Sequence, residues 1–338
     1  MPEKIEIRAP YLLFIGDLQD PTYAKTALGL VHWRREQVAG QLRLDRAAVD
    51  LGVDDMDVEA AVKAGAKSLV IGVATVGGVI PDTWWEVIYA AARAGLDIVS
   101  GLHGSLAGNP ELVAAAESSG ARLIDVRVPP KGLPVGSGRK RTGQRVLTVG
   151  TDCAVGKKYS ALAVTAALQE RGLSATYRAT GQTGIMIAGE GIPIDAVVSD
   201  FVSGAAEVLS PDNEHDHWDV IEGQGSLFHP GYAAVSLGLL HGSQPDAIVV
   251  CHDATRTAVS GWPDYTVPSV ADCIDLNLTL GRRTNPAVRC VGVCVNTSQL
   301  QPDERTSYLE GLSSELGLPC VDPVIDGCAP IAELLANA

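Results

Sequence analysis

The chain has 338 residues, of which 46% are hydrophobic and 20% charged, so it can fold into two ordinary domains and is not a disordered chain. A formal net charge of −14 argues against nucleic acid or an anionic membrane as a partner, because both demand a basic surface. The seven cysteines include no CxxC pair, the charged amino terminus has no apolar signal core, and no apolar run is long enough to span a membrane. We therefore expect a cytoplasmic protein without a disulfide framework.

Short apolar runs alternate with helical patterns along the first half of the chain, which is typical of a parallel sheet with crossover helices. The predicted strands lie near residues 11–16, 67–73, 96–101 and 121–127. The predicted helices lie near residues 22–33, 57–64, 82–94 and 109–119. Residues 129–144 then combine Pro, Gly and basic residues without any periodicity, which predicts a linker between two domains.

The second half repeats the alternation of strands and helices. Its predicted strands lie near residues 145–149, 174–179, 218–222, 246–251 and 288–295. Its predicted helices lie near residues 157–171, 200–209, 231–241, 268–280 and 302–316. The pattern as a whole predicts two α/β domains joined near residue 136.

The sequence VGTDCAVGKKYS, residues 149–160, resembles a phosphate-binding loop. Gly150 is followed by five residues and then by Gly156-Lys157, one residue more than the common GxxxxGK spacing. An apolar strand precedes this run and an Ala/Leu-rich helix follows it, so unpaired N–H groups and the helix dipole would favour an anion there. The predicted phosphate-binding residues are Gly150, Thr151, Asp152, Cys153, Ala154, Val155, Gly156, Lys157, Lys158 and Tyr159.

Lys158 stands where a nucleotide-hydrolysing loop has the Ser or Thr that binds Mg²⁺. Ser160 is a poor substitute, because two residues further along a helix it points about 200° away. Two adjacent lysines suit a phosphate or pyrophosphate that is bound without metal, such as that of coenzyme A. A solvent-exposed Lys158 without any role is an equally good interpretation.

Polar residues follow three predicted strands, where ligand crevices of parallel sheets form. Glu222 ends an apolar strand, and we predict that it acts as a general base, with His229 and Asp200 as weaker catalytic candidates. For Asp200, capping of a helix is the favoured role. Arg178 and Arg256 are candidates to bind a carboxylate. The His215–His217 pair lies in a polar loop without further ligands, and we predict no metal site. The predicted substrate-binding residues are Arg178, Thr180, Gly181, Gln182, Thr183, Gln224, Gly225, His252 and Arg256.

Several motifs carry a resemblance to known families. GTDCAVGK is similar to the loop of dethiobiotin synthetase-like and cobyrinate-amidase-like ATPases. Over nearly the whole chain, stretches such as AGQLRLDRAAVDLG, ATGQTGIMIAG and EGQGSLFHPGY resemble the D-glutamate N-acetyltransferase family, long labelled as of unknown function. This resemblance implies two parallel-sheet, three-layer α/β domains: a Rossmann-like N-terminal domain over 1–135 and, after a linker at 136–144, a P-loop NTPase-like C-terminal domain over 145–338.

The resemblance also implies an activity, the transfer of acetyl from acetyl-CoA to the amine of D-glutamate. Acetyl-CoA is then the co-substrate, no metal is required, and we expect a homo-oligomer with no nucleic-acid or membrane partner. A route through an acetylated Cys153 intermediate is less favoured, because no base adjoins this cysteine in the sequence. The loop alone leaves two other functions open: an ATP- and Mg²⁺-dependent ligase or amidase, and a sensor that binds a nucleotide or coenzyme A without turnover.

Overall fold

The structure, a computed structural model, describes residues 4–75 and 78–337. The chain divides into two compact units. The first contains residues 4–128 together with Gln182–Pro193, and the second contains Pro129–Gly181 and residues 194–337. The predicted domain limits at 135 and 145 differ from this division chiefly in where they place 182–193.

The first unit is built on a parallel sheet of five strands in the order β2-β1-β3-β4-β5. All six residues of the central β1 are buried, and Phe14 lies between Leu42 of one neighbour and Ile71 of the other. The strands are β1 (Tyr11–Gly16), β2 (Val38–Arg43), β3 (Ser68–Ile71), β4 (Asp97–Ser100) and β5 (Leu123–Asp125). The first four helices are α1 (Lys25–Trp33), α2 (Val58–Lys63), α3 (Trp85–Arg93) and α4 (Pro110–Ser119).

The second unit contains a parallel sheet of six strands in the order β13-β12-β9-β6-β8-β7 and a separate antiparallel pair, β10-β11. Its strands are β6 (Gln144–Gly150), β7 (Ala175–Arg178), β8 (Trp218–Ile221), β9 (Ala247–Asp253), β10 (Ala258–Val259), β11 (Trp262–Thr266), β12 (Arg289–Asn296) and β13 (Cys320–Val321). Its helices are α5 (Lys157–Glu170), α7 (Val202–Leu209), α8 (Ala233–Ser243), α9 (Val270–Gly281), α10 (Pro302–Leu316) and α11 (Ala329–Ala336).

One helix of the first unit comes from the second half of the sequence. Helix α6 (Gln182–Ala188) buries Ile185, Met186 and Ile187, and packs beside α1. The Oγ1 atoms of Thr26 and Thr183 are 2.9 Å apart and hydrogen-bonded. The chain therefore leaves the second unit after Gly181, completes the first unit with a short helix, and returns at Ile194.

The segment predicted as a linker, residues 136–144, is bonded into the second unit. The N–H groups of Ser137 and Gly138 both donate to the Glu207 carboxylate, each over 2.9 Å. The buried Arg141 donates to the Gly242 carbonyl over 2.8 Å. Burial, reinforced by the nearby Arg145 charge, lowers the pKa of Arg141 to about 10. This segment is thus part of a folded unit along its length.

The α/β prediction with parallel sheets is confirmed, and each predicted strand and helix overlaps an observed one of the same type. The sequence interpretation missed β2, β10, β11, β13, α6 and α11. Within the described part of the chain, no helix combines the length and apolar character that crossing a membrane requires.

Candidate functional site

The predicted phosphate-binding loop follows the central strand of the six-stranded sheet. Strand β6 lies between β8 and β9, with Leu147 paired to Ile221 and Gly150 paired to Cys251. After β6 the chain first builds the β8-β7 side of the sheet and later the β9-β12 side. Such a reversal of strand order opens a crevice at the carboxyl ends of the strands, where α/β proteins bind ligands.

The loop has a tightly turned backbone that leads directly into α5. Ala154 and Gly156 take positive φ angles of 56° and 100°, and Gly156 caps α5 without any side-chain hydrogen bond. The first N–H groups of α5 therefore face the loop with the positive end of the helix dipole. Lys157 is only 7% exposed and its Nζ donates to the Asp152 carbonyl over 2.7 Å. Lys158 Nζ lies 4.7 Å from the centre of the Tyr159 ring.

A buried ion pair fixes the first half of the loop. Asp152 is fully buried, and its Oδ2 accepts hydrogen bonds from Arg256 Nη1 over 2.9 Å and from the Ser260 N–H over 2.8 Å. Arg256 Nη1 also donates to the Cys153 carbonyl over 2.6 Å. Arg256, which the sequence interpretation assigned to the substrate, is thus placed where it holds the loop.

Two further side chains connect the loop to its neighbouring strands. His252, at the end of β9, shares a 3.0 Å hydrogen bond between its Nδ1 and Thr151 Oγ1. Ser226 Oγ donates to the Thr151 carbonyl over 3.1 Å. Burial lowers the pKa of His252, so this ring is held as a neutral partner of the threonine.

Glu222 follows β8 and is buried, with hydrogen bonds converging on one carboxylate oxygen. Its Oε2 accepts from Tyr177 Oη over 2.9 Å, from the Thr180 N–H over 2.9 Å and from the Gly181 N–H over 3.1 Å. All three of these hydrogen bonds end on Oε2 and none of them on Oε1. Burial raises the pKa of Glu222, although these hydrogen bonds and the Lys158 charge oppose the rise. A carboxylate with one bonded oxygen and a raised pKa is suited to accept a proton through the other.

The residues around Glu222 form a connected network. Thr180 Oγ1 donates to the Glu222 carbonyl over 2.7 Å and accepts from Gln224 Nε2 over 3.0 Å. The Gly223 N–H donates to Thr148 Oγ1 on β6 over 2.9 Å. A Cβ on Gly223 would lie 1.7 Å from the Thr148 carbonyl oxygen, so only glycine allows the two backbones to approach this closely.

Of the remaining predicted site residues, Gly225 lies near Thr148 and Gly150, and the others lie elsewhere in the second unit or in the first. Arg178 Nε donates to Asp219 over 2.7 Å in a largely buried ion pair. Gln182 and Thr183 begin α6 and pack within the first unit. Asp200 is exposed in a short 3-10 helix, and no side-chain bond caps that helix. Gly225 takes a φ of 64°, and a Cβ there would meet the Tyr232 carbonyl oxygen at 2.5 Å.

His229 is brought to the loop, beside Asp152 and Cys153. A ring nitrogen of His229, the Cys153 Sγ and a carboxylate oxygen of Asp152 lie within 4.8 Å of one another. These are residue types that bind metals. Two contacts oppose a cation, however: the Arg256 guanidinium already neutralises Asp152, and the Gly231 N–H donates to His229 Nδ1 over 3.1 Å. The donor set does not fit a metal ion.

Several residues of this site were missed by sequence reasoning. Tyr177, Thr148 and Ser226 lie within or just after strands. A hydroxyl group in such a position does not indicate which residue it will hydrogen-bond. Trp262 and Tyr232 pack against His229 with ring centroids 4.5 Å from it. Aromatic residues make up only 5% of the sequence, so their grouping after β8 and β9 was a usable signal.

Two cavities, one in each unit, differ in size. Beneath the loop lies a cavity of about 10 Å³, lined among others by Thr148, Gly150 and Gly223, which has room for about one water molecule. The first unit has an open groove of about 940 Å³ beside Arg43, Asp55 and Glu86. Neither is a closed ligand pocket.

Fold and loop together define a P-loop α/β protein. The chain matches two family models, a "domain of unknown function (DUF1611_C) P-loop domain" over residues 134–332 and a "domain of unknown function (DUF1611_N) Rossmann-like domain" over residues 43–129. The chain belongs to this DUF1611 family, and the predicted pairing of a Rossmann-like with a P-loop domain is confirmed.

Curated relatives and a solved structure place the chain more closely. It is 49% identical to a D-glutamate N-acetyltransferase of Tritonibacter scottomollicae, with 98% of this chain and 99% of that protein covered. It is 47% identical to a protein of the same name from a Pseudoalteromonas species, again with 98% and 99% covered. The crystal structure of a DUF1611 family protein from Anabaena variabilis matches with a TM-score of 0.88 and 34% identity, covering 97% of this chain and all of that one. The predicted family is confirmed.

Proposed function

We propose that this protein is a D-glutamate N-acetyltransferase that takes its acetyl group from acetyl-CoA. The observation that carries the proposal is the 47–49% identity, over nearly the full length of both chains, to two proteins of that name. The site geometry supports an acyl transfer over the ligase that the loop alone left open, because Lys158 replaces the hydroxyl that Mg²⁺ requires.

The loop at 150–159 is our proposed site for the diphosphate of acetyl-CoA. Its support is the uncapped start of α5, the positive φ of Gly156, and the two lysines at the first helical positions. Lys157 Nζ is held over the loop by the Asp152 carbonyl and can exchange this contact for a phosphate oxygen. Ser160 does not replace the missing hydroxyl, because its Oγ donates to the Gly156 carbonyl over 3.1 Å.

Glu222 is our proposed general base. The ammonium group of D-glutamate gives one proton to Glu222 Oε1, and the freed amine attacks the acetyl carbonyl carbon. A C–N bond forms, the thioester C–S bond breaks, and coenzyme A leaves as a thiolate that takes up the second proton, which the attacking nitrogen loses as it becomes the amide. The products are N-acetyl-D-glutamate and coenzyme A. Thr180, Gly181 and Tyr177 hold the carboxylate in place through its other oxygen.

The two arginines that the sequence offered for the substrate carboxylates have a positioning role in our proposal. Arg178 is engaged by Asp219, and Arg256 by Asp152 and the Cys153 carbonyl. Removing either guanidinium would leave a buried carboxylate without its partner. Cytoplasmic location and homo-oligomerisation also stay predictions.

The test of the proposed function is an assay of the purified protein with acetyl-CoA, D-glutamate and EDTA. We expect release of free coenzyme A thiol and formation of N-acetyl-D-glutamate by mass spectrometry, with L-glutamate as the control substrate. If product forms only when Mg²⁺ and ATP are present, and ADP or AMP is released, the protein is a ligase instead.

A further inference from the structure

His229 is locked in the second unit by its neighbours. The side chain is 1% exposed, lies 4.5 Å from the Tyr232 ring and 4.5 Å from the Trp262 ring, and meets the latter edge-on. The Gly231 N–H donates to its Nδ1 over 3.1 Å. Packing and this hydrogen bond therefore fix both the position and the orientation of the imidazole.

The hydrogen bond from Gly231 also fixes which nitrogen carries the proton. A backbone N–H can only donate, so Nδ1 must present its lone pair. The remaining nitrogen, Nε2, then carries the hydrogen. Nε2 is buried, and no acceptor for it occurs in the described part of the chain. An oriented, buried N–H without an acceptor is costly, which points to a ligand that supplies one.

This assignment separates three roles that a histidine beside Cys153 could take. A base that activates the thiol needs a lone pair on the nitrogen facing it, and so does a metal ligand. At Nε2 either role would require the loss of its hydrogen, and at Nδ1 the lone pair already accepts the Gly231 N–H. A hydrogen-bond donor is the role that remains for His229.

We propose that His229 Nε2–H donates a hydrogen bond to the acetyl carbonyl oxygen of acetyl-CoA and stabilises the oxyanion formed during attack by the amine. This inference rests on the proposed function. A ring nitrogen of His229 lies within 4.8 Å of Cys153 Sγ and of the Asp152 carboxylate, beside the first half of the loop, whereas Lys157 and Lys158 begin α5 at its other end. A neutral donor suits a thioester carbonyl oxygen, and the Arg256 guanidinium offsets the charge of the nearby Asp152 carboxylate.

The proton position can be measured directly on the full-length protein. ¹⁵N spectra of histidine-labelled enzyme, with the His229 signals assigned by their loss in His229→Gln, should show an unprotonated Nδ1 and a protonated Nε2. A proton on Nδ1 with a bare Nε2 would overturn the proposal. This readout does not depend on turnover, so it stands or fails separately from the proposed function.

Kinetics on two variants test the contact with the acyl group. His229→Met removes the donor at similar volume, and kcat should fall about 100-fold while the affinity for coenzyme A stays within about twofold. His229→Gln keeps a donor near the Nε2 position and should recover part of kcat. An unchanged kcat in the methionine variant, or a loss of coenzyme A affinity with kcat retained, would overturn the proposal. If the wild-type enzyme itself transfers no acetyl group, the proposed function fails instead.

Discussion

Glu222 shows at the scale of a single residue how the fold prepares a reactive group. The sequence revealed a carboxylate at a strand end, but not its burial or the three donors on Oε2. Burial favours the protonated form and raises the pKa of Glu222. The three hydrogen-bond donors favour the ionised form and oppose this rise. The result is a base that is better matched to neutral pH than an exposed glutamate.

Replacing Glu222 with Gln should lower kcat by at least about 100-fold and leave the affinity for coenzyme A largely unchanged. In the wild type, kcat/KM should fall as pH drops through the pKa of Glu222, because the base must be ionised. Since that pKa is raised, the fall should occur above the ordinary carboxyl value of 4.5. A pH–rate profile of kcat/KM checks this.

The matched control is Glu214→Gln, which changes an exposed glutamate in the same unit. It should keep both the rate and the pH profile of the wild type. Full activity in Glu222→Gln, or an acid limb at or below the ordinary value, would exclude Glu222 as the base.

Residue identities alone could not reveal partners that are distant in sequence. Arg256 was predicted to bind substrate because of its place after a strand, and it does lie at the loop. Its partner Asp152, however, is 104 residues away in the chain. Pairings of this kind depend on the strand order, which a single sequence does not reveal.

At the scale of elements, the site depends on how closely β6 and the turn after β8 approach. The Gly223 backbone lies against Thr148, and Lys157 Cδ would be 3.1 Å from a Cβ on Gly223. The turn after β8 thus supports the loop and the lysine stem together. A side chain at position 223 would force these elements apart.

Gly223→Ala should destabilise the protein by about 3 kcal/mol or more, because its methyl group would collide with backbone atoms that cannot turn away. Gly311→Ala is the control: Gly311 lies in α10 with nothing within 4 Å of its Cβ, and alanine there should stabilise by about 0.5–1 kcal/mol. Urea unfolding of both variants measures the difference. Equal stabilities would contradict the close approach.

Elements with strong periodicity were predictable, and those without it were not. The buried parallel strands and the long helices α5 and α10 were found from apolar runs and helical patterns. Strand β2 was missed because VAGQLR is mixed and lies at a sheet edge, and α6 was missed because QTGIMIA is short and flanked by glycines. Tertiary packing, rather than local propensity, stabilises such segments.

At the scale of the whole molecule, the chain does not divide into consecutive domains. The first unit includes Gln182–Pro193, which the predicted limits assign to the other domain. Helix α6 covers α1 with three buried apolar side chains, and Arg34 Nη2 donates to the Ile187 carbonyl over 2.8 Å. The N-terminal fragment by itself therefore lacks part of its core.

A fragment of residues 1–135 should be less stable than the same fragment fused through a Gly/Ser linker to 182–193. Burial of three apolar side chains favours the fusion and ordering of the segment opposes it, so we expect a small net gain in the free energy of unfolding. Denaturant unfolding measures it, and the fusion carrying Ile187→Asp is the control. Identical unfolding of all three fragments would contradict the assignment of α6 to this unit.

The central claim is that the loop at 150–159 binds the diphosphate of acetyl-CoA without a metal ion. The most direct measurement is calorimetric titration of the wild-type protein and Lys157→Met with acetyl-CoA in EDTA, and with ATP in Mg²⁺. We predict metal-independent binding of acetyl-CoA that weakens by about tenfold or more in Lys157→Met, since a hydrogen bond to a charged group contributes about 1.5–3 kcal/mol. Tight binding of Mg²⁺-ATP to the wild type, with none of acetyl-CoA, would contradict the claim.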